Sequence, residues 1–165
     1  MTDGGPLRSR RATVDDGVAI ARIYNEGIAD GIATFETRIR HADDVRSWMA
    51  TRFPVVVVES DGEVIAFAST SEYRPRDCYA RIAEFSVYVA RDRRGEGAGR
   101  LAMNALMEEA VNAGFWKLVS RVFVENLASR SLLRELGFRE VGIYERHGQV
   151  GGAWKDVVIV ERLLE

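Results

Sequence analysis

Between residues 94 and 100 the chain reads Arg-Gly-Glu-Gly-Ala-Gly-Arg. Glycines spaced this way let a backbone turn tightly and lie close against a ligand. Where such a segment opens a helix, the first N–H groups have no intrahelical acceptor and favour a phosphate or pyrophosphate. Arg91, Arg93, Arg94 and Arg100 outnumber Asp92 and Glu96 here, in a chain whose formal net charge is −2. The bland alternative is a strand-to-helix turn without a ligand. Two phosphate-loop readings fail on detail. No Gly-Lys-Ser/Thr follows, as a P-loop requires, and Gly95 does not come directly off the strand, as in the dinucleotide fingerprint.

Other residues carry chemistry of a different kind. Glu84 lies in a run where Ala83, Phe85, Val87 and Val89 alternate with Glu84, Ser86 and Tyr88. A carboxylate within a sheet is costly unless solvated or paired, so from its position Glu84 reads as a solvated or paired group. Arg74 and Arg76 flank Pro75 in an unpatterned loop. Two apart on an extended stretch, they point the same way, and two guanidinium forks suit a carboxylate plus a second oxyanion. The alternative is a pair of solvated surface arginines. Cys78 has no histidine near it in sequence and reads as structural. His41 and His147 are too far apart to suggest a metal site, and His147 reads as a loop residue. Trp48, Trp116 and Trp154 read as core or interface groups, with Trp154 near a pocket rim.

The elements that must position these groups follow from periodicity. Leu7 to Arg11 reads as a first strand, after a disordered 1–6. Thr13 and Asp16 cap a helix over 14–28 with Ile20, Ile23, Tyr24 and Ile28 on one side. Residues 29–42 read as a loop and 43–52 as a second helix. The β-branched run 55–58, a turn at Asp61-Gly62 and a return strand over 64–71 form a hairpin. After a polar loop comes the strand 82–89, then the glycine segment and a long helix whose inner face is Leu101, Ala102, Ala105, Leu106 and Ala110, stopped by Gly114. A strand over 118–124 precedes Asn126, which caps a helix burying Ala128, Leu132, Leu133 and Leu136 and ending at Gly137. Strands over 138–145 and 154–163 flank a glycine-rich turn at 148–152. The order β-α-α-β-β-β-α-β-α-β-β is a mixed α/β domain.

Composition limits the rest. The 165 residues predict one domain, large enough to bury a core without disulfides or metal. One cysteine excludes an internal disulfide and fits a reducing compartment. The net charge and a pI near 5.8 argue against a dedicated nucleic-acid binder. The longest apolar run, Phe53 to Val58, is far short of the ~20 residues that cross a bilayer. Met1 to Arg11 has no apolar h-region, so a cytoplasmic protein without membrane partners is expected.

The pattern Arg94-x-x-Gly97-x-Gly99 after an apolar strand, followed by Asn126-x-x-Ser129-x-x-Leu132-x-x-x-Leu136-Gly137-Phe138, resembles the acetyl-CoA motif of the GNAT N-acetyltransferases. Ile23-Tyr24-Asn25, Ala33-Thr34-Phe35-Glu36, Tyr73-Arg74-Pro75-Arg76, Glu84 to Val89 and Gly152-x-Trp154-x-Asp156 are similar to the phosphinothricin, methionine sulfoximine and arsinothricin acetyltransferase branch. The resemblance implies an α/β fold with a central, mostly antiparallel sheet and helices on both faces. It implies acetyl-CoA as co-substrate and no metal. The pantetheine arm would pair with the open strand edge at Val87, Tyr88 and Val89. The pyrophosphate would rest on Arg94, Gly95, Gly97, Gly99 and Arg100, with Asn126 and Ser129 on the far side of the arm. Asn126 can serve as helix cap as well. Glu84 would be the general base, Arg74 and Arg76 would bind the carboxylate, phosphinate or arsinate group, and Thr34, Phe35 and Glu36 would form the other pocket wall. A homodimer with the pocket near its interface is implied.

One departure stands out. Relatives often carry a histidine or tyrosine, proposed to move a proton, where this chain has Leu133. Tyr144 and His147 are the conceivable substitutes. Three functions therefore compete: an N-acetyltransferase of a small anionic amino-acid-like amine such as a glutamate-mimicking antibiotic, an acetyltransferase of protein or peptide N-termini, and a non-catalytic acyl-CoA sensor.

Overall fold

The computed structural model describes residues 4–164. Of the disorder expected over 1–6, residues 1–3 lie outside the described residues. Gly5 donates its N–H to Asp61 Oδ2 (2.9 Å) and accepts from Ser60 Oγ (3.0 Å).

Seven strands form one sheet: β1 (Arg8–Arg11), β2 (Val55–Ser60), β3 (Glu63–Glu72), β4 (Ile82–Val89), β5 (Lys117–Phe123), β6 (Arg139–Val150) and β7 (Ala153–Leu163), in the order β1-β2-β3-β4-β5-β7-β6. Only β4 and β5 pair in parallel. Helices α1 (Gly17–Asp30) and α2 (Ala42–Arg46) cover one face. Helix α3 (Ala98–Asn112) covers the other, and α4 (Leu127–Glu135) adds Leu133 to its core. The run Val55–Val58 shows why the sheet is buried on both sides: Val56 and Val58 join the α3 core, while Val55 and Val57 join the α1 core. Arg10 anchors the α1 side through two bonds to the buried Asp16 carboxylate, at 2.8 and 2.9 Å, and Asp16 also accepts the Thr13 N–H at 2.7 Å.

The pairing of β4 with β5 stops early. Ile82, Ala83 and Glu84 face Lys117, Leu118 and Val119, and no further pair follows. Beyond that point β4 stays with β3 through Val89, while β5 stays with β7 through Phe123. The sheet thus divides into two halves hinged at Glu84, and a fork opens between residues 85–89 and 120–126.

Four sequence expectations are corrected. The turn expected at 148–152 shrinks to Gly151-Gly152, both with positive φ, because Gly148 to Val150 pair with β7. His147 accordingly lies within β6, not in a loop. It sits where the register jumps between the pairs Tyr144↔Val157 and Gly148↔Lys155, a bulge braced by the Arg146 N–H donating to Asp156 Oδ1 at 2.7 Å. Ala128 is exposed, since it faces the fork and not the core. The helix expected over 43–52 is a short α-helix continued by a 3₁₀ turn, Ser47–Ala50. No described helix is long and apolar enough to cross a membrane.

Candidate active site

Strand parity decides which backbone groups face the fork. The Ala90 N–H bonds Ile65 O in β3 (2.8 Å), so even-numbered residues of this strand turn their backbone groups toward β3. Phe85 O accepts from Ser120 Oγ on the β5 side (2.8 Å), so Phe85, Val87 and Val89 turn theirs into the fork. Val87 therefore presents a free peptide-like edge, and Val89 O is approached only by Arg94 Nε at 3.4 Å.

This edge is one wall of a cleft of ≈ 430 Å³ that takes in Val87, Tyr88, Val89, Arg94, Gly95, Gly97, Gly99, Arg100, Asn126 and Ser129. All ten residues expected from sequence to hold a coenzyme are brought together there. Gly97 caps α3 in a left-handed conformation (φ 89°), which a side chain adopts only with strain, and the first α3 turn opens onto the cleft. Ala128 and Leu132 of α4 supply the opposite, apolar wall. Asn126 Oδ1 accepts the Ser129 N–H at 3.3 Å, so the residue caps α4 while lining the cleft. Asp30 closes the mouth: its carboxylate binds Arg94 Nη2 at 2.7 Å and Arg91 Nη2 at 2.8 Å. Arg100 pairs with Glu135. The Tyr88 ring leaves the cleft and packs on Phe67 and Tyr24, at 5.4 and 5.1 Å, and burial holds its phenol above the usual range.

Glu84 stands at the apex of the fork. Its side chain is 28% exposed, and Arg121 Nη2 donates to its Oε1 at 3.3 Å. Arg121 Nη1 lies 3.3 Å from His147 Nε2. The His147 ring lies tilted against Tyr144 (4.9 Å) and Phe35 (6.5 Å), and Phe35 meets Phe123 edge-on at 4.8 Å. Gly148 lets Phe35 lie this close, because a Cβ there would meet the ring at 2.7 Å. Leu133 is buried against the fork and offers no proton.

The other expected substrate residues are more scattered. Phe35 faces the apex cluster, and Ala33, two residues before it, lines the cleft. Thr34 Oγ1 accepts the Glu36 N–H (3.1 Å), and the exposed Glu36 pairs with Arg40 at 3.0 Å. Arg74 and Arg76 are exposed beside Tyr73 and Tyr79, and neither lines the fork within this chain. Arg121 and Asp30 escaped the sequence reading. An arginine inside the apolar run Leu118–Val124 was the available signal for the first; nothing local marks the second. No group of three or more His, Cys, Asp or Glu among the described residues could hold a metal ion.

Comparison with known proteins is consistent with this arrangement. The chain is 32% identical to an L-methionine sulfoximine/L-methionine sulfone acetyltransferase of Pseudomonas aeruginosa over 94% of each chain. The structure of a GNAT superfamily phosphinothricin acetyltransferase from Sinorhizobium meliloti, in complex with AcCoA, superposes with a TM-score of 0.89 at 28% identity, covering 96% of this chain and 88% of that one. A ribosomal-protein-alanine N-acetyltransferase from Brucella melitensis superposes with a TM-score of 0.90 at 33% identity, covering 95% and 99%. Residues 20–138, which include β4, the glycine loop, α3 and α4, match the acetyltransferase (GNAT) family model. With the motifs of that match forming the walls of the cleft, the chain belongs to the acetyltransferase (GNAT) family.

Proposed function

We propose that the protein transfers the acetyl group of acetyl-CoA to the amine of a small anionic amino-acid-like substrate, of the phosphinothricin, methionine sulfoximine or arsinothricin type, with Glu84 as general base. The fork carries this reading: a carboxylate at its apex, a free strand edge along one arm and an arginine-flanked helix N-terminus at its mouth. The residues fit the coenzyme part by part. The inward backbone groups of Val87 and Val89 match the amides of a pantetheine arm. The first turn of α3, with Arg94 and Arg100, matches a pyrophosphate.

When bound, acetyl-CoA supplies a thioester carbonyl carbon for attack and a sulfur that can leave with its electron pair. Glu84 takes a proton from the substrate ammonium, directly or through water, because only the neutral amine can attack. The C–N bond then forms and the C–S bond breaks. Of the two protons that nitrogen loses, one passes through Glu84 to solvent and one restores the thiol. Leu133 cannot relay that second proton, so water in the open fork carries it from the nitrogen to the sulfur. Phe35, Thr34 and Glu36 form one wall for the substrate; Arg74 and Arg76, which lie outside the fork within this chain, are assigned its anionic group by the motif they share with the acetyltransferase branch and not by their position. The exposed Val141, Ile143 and Tyr144 on the edge strand β6 support a homodimer.

The likeness to the Brucella enzyme favours a second reading, acetylation of protein N-termini. Measuring CoA release with phosphinothricin, methionine sulfoximine, arsinothricin and a panel of peptides separates the two. Turnover of the free amino acids, with a KM raised by Arg74→Ala and Arg76→Ala, supports the proposal. Turnover of peptides alone overturns it.

A further inference from the structure

Arg121 has no place in the reaction as described so far, yet its guanidinium reaches the base. The direct parallel neighbour of Glu84 is Val119; Arg121 lies two residues further along β5, past the point where the strands separate. Its side chain therefore leans back across the opening of the fork to reach Glu84 Oε1 at 3.3 Å. His147, set at the β6 bulge, holds the other end of the guanidinium at 3.3 Å. As a brace this pair is weak, because Arg121 is 49% exposed and the contact is long. A guanidinium carries five N–H donors, and these two contacts leave others free to face the fork, whose wall Arg121 lines beside Phe85, Ser86 and Val87.

The spacing of the two charges is informative. In a free α-amino acid, the ammonium nitrogen and the nearer carboxylate oxygen are about 3 Å apart by covalent geometry. Glu84 and Arg121 present the opposite charges at nearly the same separation. We propose that the Glu84–Arg121 pair receives the zwitterionic end of the substrate, the carboxylate of Glu84 taking the ammonium and the guanidinium of Arg121 taking the α-carboxylate. On binding, the substrate's two charges lie antiparallel beside the pair, so that the four charges alternate and the Glu84 carboxylate faces the ammonium proton it must remove. The assignment rests on the transfer reaction proposed above and adds to it a specificity. The substrate must carry a free α-carboxylate beside its amine, which a peptide N-terminus lacks. Arg74 and Arg76 are then left for the distal oxyanion.

The test compares the best amino-acid substrate of the panel with its carboxamide, in the wild type and in Arg121→Gln and Arg121→Lys. The wild type is expected to prefer the acid by about 10–100-fold in kcat/KM, the scale of one hydrogen-bonding group left without its partner. Arg121→Gln should raise the KM of the acid by a similar factor and erase the preference, with Arg121→Lys in between. The acetyl-CoA Kd should stay unchanged, which shows that the fold and the coenzyme cleft are intact. If the acid is turned over and its KM and preference survive Arg121→Gln, the assignment is overturned while the proposed function stands. If no free amino acid is turned over but peptides are, both fall.

Discussion

The carboxylate of Asp30 grips Arg94 at 2.7 Å across the mouth of the cleft that the coenzyme is proposed to fill. Arg91 holds the other carboxylate oxygen at 2.8 Å, and these two arginines keep the Asp30 carboxyl below its usual range. An anion arriving at Arg94 meets a negative charge already in place. Asp30→Asn should therefore lower the acetyl-CoA Kd by about 2–5-fold, the scale of one exposed ion pair. The gain should shrink with added salt. Calorimetry at two ionic strengths measures both; a weaker-binding variant would mean that Asp30 orients Arg94 rather than competing for it.

Gly97→Asp places a side chain and a negative charge at the left-handed cap of α3 (φ 89°). Nothing lies within 4 Å of a Cβ there, so the cost to the fold is the backbone strain alone, about 1–2 kcal/mol. The charge faces the proposed pyrophosphate site. The acetyl-CoA Kd should rise by at least about tenfold, against a small drop in Tm. Unchanged affinity would remove the loop from the mechanism.

Glu84→Gln keeps the shape of the side chain but cannot accept a proton. A kcat/KM loss of about 10²–10⁴ is expected, the usual span for a general base. The acetyl-CoA Kd should hold, and raising the pH should recover part of the rate, as solvent deprotonates the amine. A variant with wild-type kcat/KM at neutral pH would leave Glu84 as a structural partner of Arg121 only.

Asp16 links the N-terminal strand to α1, and its carboxyl is held below its ordinary value of 3.8, chiefly by the Arg10 side-chain hydrogen bonds, against the opposing effect of burial. A depressed folded-state value stabilises the fold above the unfolded value. That contribution is lost as the pH falls through about 4 and toward the lower folded value. Asp16→Asn should cost about 1–3 kcal/mol at neutral pH. The difference from wild type should narrow in acid, which urea melts at pH 7 and pH 3 would read. A gap that is constant with pH would assign the loss to packing.

Much of the proposed coenzyme cleft is legible in the sequence. The glycine segment, the strand before it and the Asn126 cap are local signals, each set by backbone conformation within a few residues. Arg121 was not legible in its role, because its contact with Glu84 spans the parallel β4–β5 crossing. The place of His147 in a strand is not legible locally, since the bulge that presents it depends on the Arg146 N–H donating to Asp156 of the next strand. Arg74 and Arg76 stood out as a pair, but nothing in their spacing told where the loop would carry them.

By itself, then, the amino-acid order determined the elements: β-branched runs for the buried strands, apolar spacing for α1, α3 and α4, glycines where the chain turns left-handed. These depend on neighbours within one turn or one pleat. The tertiary structure alone decided the fork, the face on which Glu84 meets Arg121, and the grip of Asp30 on Arg94. Each of those is a pairing between residues far apart in the chain. Such pairings are settled by which register buries the two apolar faces of the sheet together, a property of the packed whole that no short segment carries.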